Sequence, residues 1–214
     1  IPRFEYCLAP ALLLLLEYGL NRKTRSWYRC KAAIRSVGAH TLLMDVSLPE
    51  SVYIKSGHYV QLRVRVLSKR EWHSISLVSG GESSNTFRVM IKNLGDWTEK
   101  LYKLSHDNVE IEVDVRGFYA SPIASASRAS QIFCVAGGIG ITPILSLINN
   151  KQQPVKWKNM TVVWIFQDWS LLESISESLL AMKDNNPSLN WYCFATTECP
   201  DDIYIPDNIQ VINR

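Results

Sequence analysis

No apolar stretch in this chain reaches the roughly twenty residues that a helix needs to cross a bilayer. The most leucine-rich one, Leu8 to Leu16, contains Pro10 and stops at Glu17. Cysteine is scarce and scattered: Cys7, Cys30, Cys134, Cys193 and Cys199 are odd in number and include no close pair. That excludes a zinc ribbon and a disulfide scaffold and implies reducing, cytosol-facing surroundings. Histidine is scarcer still, and the four present have neither triad nor metal-ligand spacing. The sequence therefore predicts no catalytic acid or base and no metal. A large excess of one charge is also missing. Lys and Arg number 23 against 20 Asp and Glu, and a net charge of +3 leaves no electrostatic footprint for nucleic acid. There is no internal repeat, no low-complexity tract and no calcium-binding loop.

The apolar run is followed at once by Arg22, Lys23 and Arg25. Positive residues directly after an apolar segment mark the cytoplasmic side of a membrane. A signal peptide would carry its charge before the run, and a complete gene product would begin with Met rather than Ile1. We read residues 1–26 as the end of a membrane span with a basic juxtamembrane segment. The region that follows then belongs on the cytosolic face. A buried core helix with a basic C-terminal end is the other reading of the same run.

From Trp27 to Gly117 the pattern is that of strands. "YRCKAAIRSVG", "HTLLMDVSLP", "SGHYVQLRVRVL", "EWHSISLVSG", "FRVMIKNLG" and "NVEIEVDVRG" are short segments separated by turn residues. In the third, Val60, Leu62, Val64 and Val66 alternate strictly, the period of a half-buried strand. The segments predict a six-stranded antiparallel barrel over residues 27–120. "DWTEKLYKLS" predicts one helix, with Trp97, Leu101 and Leu104 on its apolar face and Asp96 as its cap. In "EWHSISLVSG" a histidine opens the strand and small hydroxyls alternate with apolar residues. Core packing requires only the apolar half.

After Ser121 strand and helix alternate. "QIFCVAGG" is a short continuous apolar run ending in glycines, as a buried parallel strand would be. "ITPILSLINN" reads as a helix, "MTVVWIFQD" as a strand, and "SLLESISESLLAMKDNN" as a helix with Leu172, Ile175, Leu179 and Met182 on one face. "LNWYCFATT" is a third strand. Alternation of this kind predicts a parallel sheet with crossover helices. With about three such units in residues 121–214, the second domain reads as the N-terminal part of a larger α/β nucleotide-binding domain. "VAGGIGITP" places Gly137, Gly138 and Gly140 between strand and helix, where glycine lets backbone amides approach a phosphate. Thr142 is placed to cap the helix and Pro143 fits its first turn. An ordinary tight βα turn would use the same glycines, and the third glycine of a GxGxxG fingerprint is replaced by Pro143.

In this order the motifs resemble the dehydrogenase region of the NADPH oxidase and ferric reductase family. "LSKREWHSIS" is similar to its first FAD motif, HPFT, and "NLGDWTEKLY" to its second FAD segment. "VDVRGFYASP" resembles the barrel-closing GPYG or GPFG motif. "VAGGIGITPILSLI" resembles the start of its NADPH domain, and "VVWIFQDWSLLE" its W-x-x-R-D segment. The EWH and DWT details lean toward the oxidases.

The resemblance implies a ferredoxin-reductase-like FAD barrel joined to an NADPH domain. It assigns FAD to His73, Ser74, Ile75, Ser76, Gly95, Trp97 and Thr98. His73 would lie at the pyrophosphate or ring edge, and Ser76 near the flavin N5. It assigns the nicotinamide nucleotide to Gly137, Gly138, Gly140, Thr142, Pro143 and Gln167. It further implies haem in a membrane domain upstream, electron flow to oxygen giving superoxide, and possible regulatory protein partners. A ferric-chelate reductase would share the same path, and a non-catalytic regulatory domain is the reading from another class.

Five departures bear on these. Ser74 and Ile75 replace the Pro and Phe of HPFT, Phe118 and Ala120 replace the Pro and last Gly of GPYG, and Gln167 stands at the arginine of W-x-x-R-D. A neutral amide is a poor substitute for guanidinium on a 2′-phosphate, so NADH becomes admissible beside NADPH.

Overall fold

The computed structural model describes residues 8–16, 27–55, 57–80, 84–107, 109–149, 157–176, 188–200 and 210–213. The first element, helix α1 over 8–16, is apolar on all sides and has no polar face to turn to water. Its leucines Leu8 and Leu12–Leu16 are 53–68% exposed, so it is not the buried core helix of the second reading. Among the described residues no helix is long and apolar enough to cross a membrane. Arg22, Lys23 and Arg25 lie outside the described residues.

Six antiparallel strands form a closed barrel: β1 (Trp27–Val37), β2 (Thr41–Val52), β3 (His58–Val64), β4 (His73–Gly80), β5 (Ser84–Lys92) and β6 (Glu110–Ala120), in the order β1-β2-β5-β4-β3-β6. Alternation builds it. Val60, Leu62 and Val64 of β3 and Val113 and Val115 of β6 are fully enclosed, while the residues between them face out. Val66 does not continue the series. It lies in the turn after β3 and is 66% exposed, because the strand ends at Val64.

Helix α2 (Asp96–Ser105) packs Trp97, Leu101 and Tyr102 into the barrel core, with Leu104 half-buried beside them. Its cap is not Asp96. Gly95 occupies that position and its carbonyl accepts the Glu99 amide at 2.8 Å, which makes Asp96 the first helical residue. The carboxylate there still favours the positive end of the helix dipole.

The second layer is a parallel sheet of β7 (Gln131–Gly137), β8 (Asn159–Phe166), β9 (Leu189–Ala195) and β10 (Gln210–Asn213), in the order β10-β9-β8-β7. The four-residue strand β10 is too short to leave a periodic signal in the sequence. Helix α3 (Thr142–Ile148) and helix α4, over 169–176, bury Leu145, Leu172 and Ile175 in the sheet's core. Leu179 and Met182 lie outside the described residues. The strand β7 is covered on one face only: Phe133 is 70% and Val135 62% exposed. Ile165, Tyr192 and Ile212 are exposed as well, so among the described residues this face of the sheet is not covered.

Barrel and sheet meet along β4, β5 and α3. Leu43, Val78 and Met90 leave the barrel's own core to join the core under the sheet. The Asn149 side-chain amide donates to the Val78 carbonyl at 3.2 Å, and the Gly57 amide donates to the buried Ser146 hydroxyl at 3.1 Å. These bonds satisfy polar groups where the layers touch.

One outward-facing side chain is nonetheless fully buried. Asp114 of β6 lies beneath two arginines, Arg63 Nε at 2.8 Å and Arg65 Nε at 2.9 Å. Removing one partner of a buried ion pair leaves uncompensated charge. Asp114→Ala should therefore lower unfolding stability by about 3 kcal/mol. Urea denaturation of wild type and variant measures it, and a loss below about 0.5 kcal/mol would show that the arginines are adequately solvated without it.

Candidate functional site

The loop from β5 to α2 turns on Thr98. Its hydroxyl oxygen accepts the amides of Leu94 and Gly95, both at 2.9 Å, and donates to the Gly95 carbonyl at 2.8 Å. The sequence marks Thr98 as a cofactor contact, whereas its hydroxyl is engaged in shaping the helix start. The first-turn amides of α2 have no intrahelical carbonyl to bond. Gly95 stands open: a Cβ built there meets nothing within 4 Å.

Trp97 is held by the barrel core, and its ring stacks on His73 at 3.8 Å between centroids. Residues 24 apart in sequence are thus brought face to face. Both rings carry a buried nitrogen with no hydrogen-bond partner, His73 Nε2 and Trp97 Nε1. The Glu71 carboxylate is 3.7 Å from Nε2, within ion-pair range and beyond a hydrogen bond. Two orphaned nitrogens on stacked rings, one of them on the first turn of α2, fit an anionic cofactor group, because each is costly to bury without an acceptor.

The other residues of β4 are placed differently. Ile75 is opposite Val60 and packs against the barrel core. Ser74 and Ser76 are opposite Gln61 and Tyr59, on the alternate face of the strand from His73 and Ile75. Tyr59 in turn pairs with Tyr119 at 5.3 Å. The small hydroxyls therefore do not join the His73–Trp97 pair.

A second group forms at the carboxyl ends of β7 and β8. Cβ atoms built at Gly137, Gly138 or Gly140 meet nothing within 4 Å, so the turn is a cradle open to backbone approach. Gly138 has φ +49°, a conformation that favours glycine. Residues Gly138–Ile141 form a 3₁₀ turn, and Thr142 follows as the first residue of α3 with no side-chain cap bond. Its capping role is therefore not realised, since the 3₁₀ turn runs directly into the helix. Pro143 sits in the first turn as anticipated. Gln167 directly follows β8 and is exposed, with its carbonyl accepting the Thr197 hydroxyl at 2.7 Å. In open parallel sheets ligands bind at this carboxyl edge.

One residue of this group carries no mark as a ligand contact in the sequence. The buried Trp164 of β8 donates its indole N–H to the Gly138 carbonyl at 2.9 Å. That bond fixes the Gly138 carbonyl against β8 and so restrains the turn. The only available signal was the first letter of the W-x-x-R-D segment.

The two buried thiols, Cys30 and Cys193, are poor nucleophiles. Burial raises Cys193 to about 12, and burial with the Asp114 charge raises Cys30 to about 11. Both stay protonated at neutral pH. Burial, then the Lys55 charge, lowers His58.

A closed six-stranded antiparallel barrel followed by a parallel sheet is a ferredoxin-reductase-like fold. The sequence matches a family described as an FAD-binding domain over residues 26–162, and a ferric reductase NAD binding domain over residues 129–208. The chain belongs to the ferric reductase and NADPH oxidase family. Ferric reduction oxidase 8 of Arabidopsis thaliana is 29% identical over 92% of this chain and 29% of its own length. Human NADPH oxidase 4 is 29% identical over 56% of this chain and 24% of its own length. Both branches are thus represented, and the chain spans under a third of either protein.

Among solved structures, the CS-b5R domains of human Ncb5or align with TM-score 0.64 at 17% identity, covering 89% of this chain and 57% of that one. A ferredoxin NADP+ reductase from Neisseria gonorrhoeae aligns at 0.57 and 14% identity, covering 87% and 98%. At such identities the likeness concerns the fold.

If Trp164 orients the glycine turn, Trp164→Phe should keep the packing and lose the bond. We expect about 1 kcal/mol of lost stability and weaker NAD(P)H binding with flavin content unchanged. Nucleotide titration with a thermal melt checks this. Unaltered nucleotide affinity would show that the turn holds its shape alone.

Proposed function

We propose that this chain is the dehydrogenase module of a membrane oxidoreductase, passing electrons from NADPH or NADH through FAD to haems of a membrane domain and on to oxygen, giving superoxide. The observation that carries the reading is the pair of orphaned ring nitrogens on His73 and Trp97, the second of them on the first turn of α2. When bound, FAD supplies hydride acceptance and single-electron release. His73 and Trp97 would donate to its pyrophosphate, Gly95 leaves the approach open, and Thr98 holds the turn that presents the amides. Ile75 would take the place of an aromatic side chain beside the flavin. Ser74 and Ser76, on the other face of β4 from Ile75, would reach the flavin only along the strand's edge, with Ser76 the residue that would hydrogen-bond near N5.

Gly137, Gly138 and Gly140 would admit the nicotinamide nucleotide's phosphates, with Thr142 and Pro143 starting the helix behind them. Gln167 would meet the ribose 2′ position. In this reading residues 1–26 tether the module to the membrane, 27–120 bind FAD, and 121–214 form the N-terminal part of the NAD(P)H-binding domain. The bare apolar face of β7–β10 supports the last assignment. Ferric reduction oxidases among the relatives favour a second reading, in which the haems reduce ferric chelates.

The test is turnover of the full-length protein with each nucleotide, scored for dismutase-sensitive superoxide and for ferric-chelate reduction. Superoxide with FAD bound supports the first reading, ferric reduction alone the second, and neither activity a non-catalytic role. Gly138→Val should lower kcat/KM for both nucleotides and leave FAD content unchanged, because its Cβ and methyls fill the cradle. Charge-assisted bonds contribute about 1.5–3 kcal/mol, so Gln167→Arg should raise preference for NADPH about tenfold to hundredfold. Strong NADPH preference in the wild type, unmoved by the substitution, would mean that another basic residue reads the phosphate.

A further inference from the structure

On the outer face of β1, β6 and β3 the strand registers align two rows. Arg29, Asp114 and Arg63 form one, and Trp27, Arg116 and Gln61 the other. The buried Asp114 carboxylate holds Arg63 and Arg65 through Nε and Nη atoms, at 2.6 to 2.9 Å. The Trp72 ring carries Arg63 at 4.5 Å and Arg116 at 3.8 Å, and Trp27 has Arg29, Arg63 and Arg65 at 5.2–5.9 Å. Arg63 Nη1 also donates to the Lys69 carbonyl at 3.1 Å, which ties the β3–β4 loop to the patch. That loop exposes Val66, Lys69 and Arg70.

Six cations, Arg29, Arg63, Arg65, Lys69, Arg70 and Arg116, thus face two carboxylates, Asp114 and Glu71. Beyond them Lys31 pairs with Glu110 at 2.7 Å and lies opposite Glu112, so this edge is net acidic and bounds the basic patch. One carboxylate beneath two arginines gives a pre-formed fork array rather than loose surface charge. Guanidinium groups of this kind match phosphate oxygens, and tryptophan is favoured at membrane interfaces.

We propose that this face docks on the anionic phosphate headgroups of a lipid bilayer. Charge complementarity is one argument and chain continuity the other. Only ten residues separate Trp27 from Leu16, the end of the exposed leucine helix α1, and they include Arg22, Lys23 and Arg25. At no more than ~3.6 Å per residue, the patch is tethered close to the segment most suited to enter lipid. An acidic protein segment fits less well, because the outside of a closed barrel is convex and offers no groove.

The test is co-sedimentation of the full chain with phosphatidylcholine vesicles, with and without phosphatidylserine. Binding to neutral vesicles reports α1 and should be the same in all variants. Each basic residue near an anionic surface is worth about fivefold in partitioning. The anionic excess should therefore fall roughly tenfold or more in Lys69→Gln/Arg70→Gln and in Arg29→Gln/Arg65→Gln, and stay unchanged in Lys100→Gln on α2. Lys69 and Arg70 are exposed, so the first variant serves even if the second fails to fold. An excess unaltered in the folded variants would assign the charge effect to Arg22, Lys23 and Arg25 and overturn the proposal. Tighter binding to poly-glutamate than to the anionic vesicles would overturn it in favour of an acidic protein partner.

Discussion

The Trp97 ring is gripped by the barrel core on one side and stacked on His73 on the other, and the candidate flavin site depends on that double contact. A six-stranded barrel leaves an open end, and α2 closes it with Trp97, Leu101 and Tyr102. Packing therefore fixes where the helix begins. Its first-turn amides are then presented at the strand that opens with His73. Stability and recognition share one side chain, with the hydrophobic surface of the indole anchoring its polar edge. The tyrosine hydroxyl of the same helix donates to the Gly38 carbonyl at 2.7 Å, which binds α2 to the β1–β2 turn as well.

The sheet solves a similar problem by other means. A turn of three glycines is free to adopt many conformations, and its amides are useful to a ligand only if their direction is set. Trp164 restrains it through the bond from β8 to the Gly138 carbonyl. Because α3 follows the turn and packs on β4 through Asn149 and Val78, the glycine turn and the strand that carries His73 are parts of one packed seam. Under the proposed function, this seam would fix the spacing between the two cofactors.

Much of this architecture was legible in the sequence because it rests on short-range periodicity. The alternation of Val60, Leu62 and Val64 and the glycines after Val135 are local signals, and the barrel and the parallel sheet follow from them. What the sequence hid was long-range or geometric. Asp96 looks like a cap because its side chain can serve as one, yet the Thr98 hydroxyl satisfies the Gly95 amide and moves the boundary by one residue. Thr142 loses its capping role to a 3₁₀ turn that composition does not reveal. "QIFCVAGG" reads as buried because it is a continuous apolar run, but burial depends on what covers each face. The arginine–tryptophan array joins β1, β3, β6 and the β3–β4 loop, a juxtaposition that exists only after the barrel closes.

The family assignment rests on sequence, and the cofactor reading on two ring nitrogens without partners. The most direct measurement is titration of the purified, folded chain with FAD, followed by flavin fluorescence and absorbance, in wild type and in Trp97→Phe. The account predicts saturable binding with yellow flavin absorbance, weakened about tenfold or more by loss of the indole N–H, which donates to a charged phosphate. A folded wild-type chain that binds no flavin, or a Trp97→Phe variant that binds it equally well, would contradict the account.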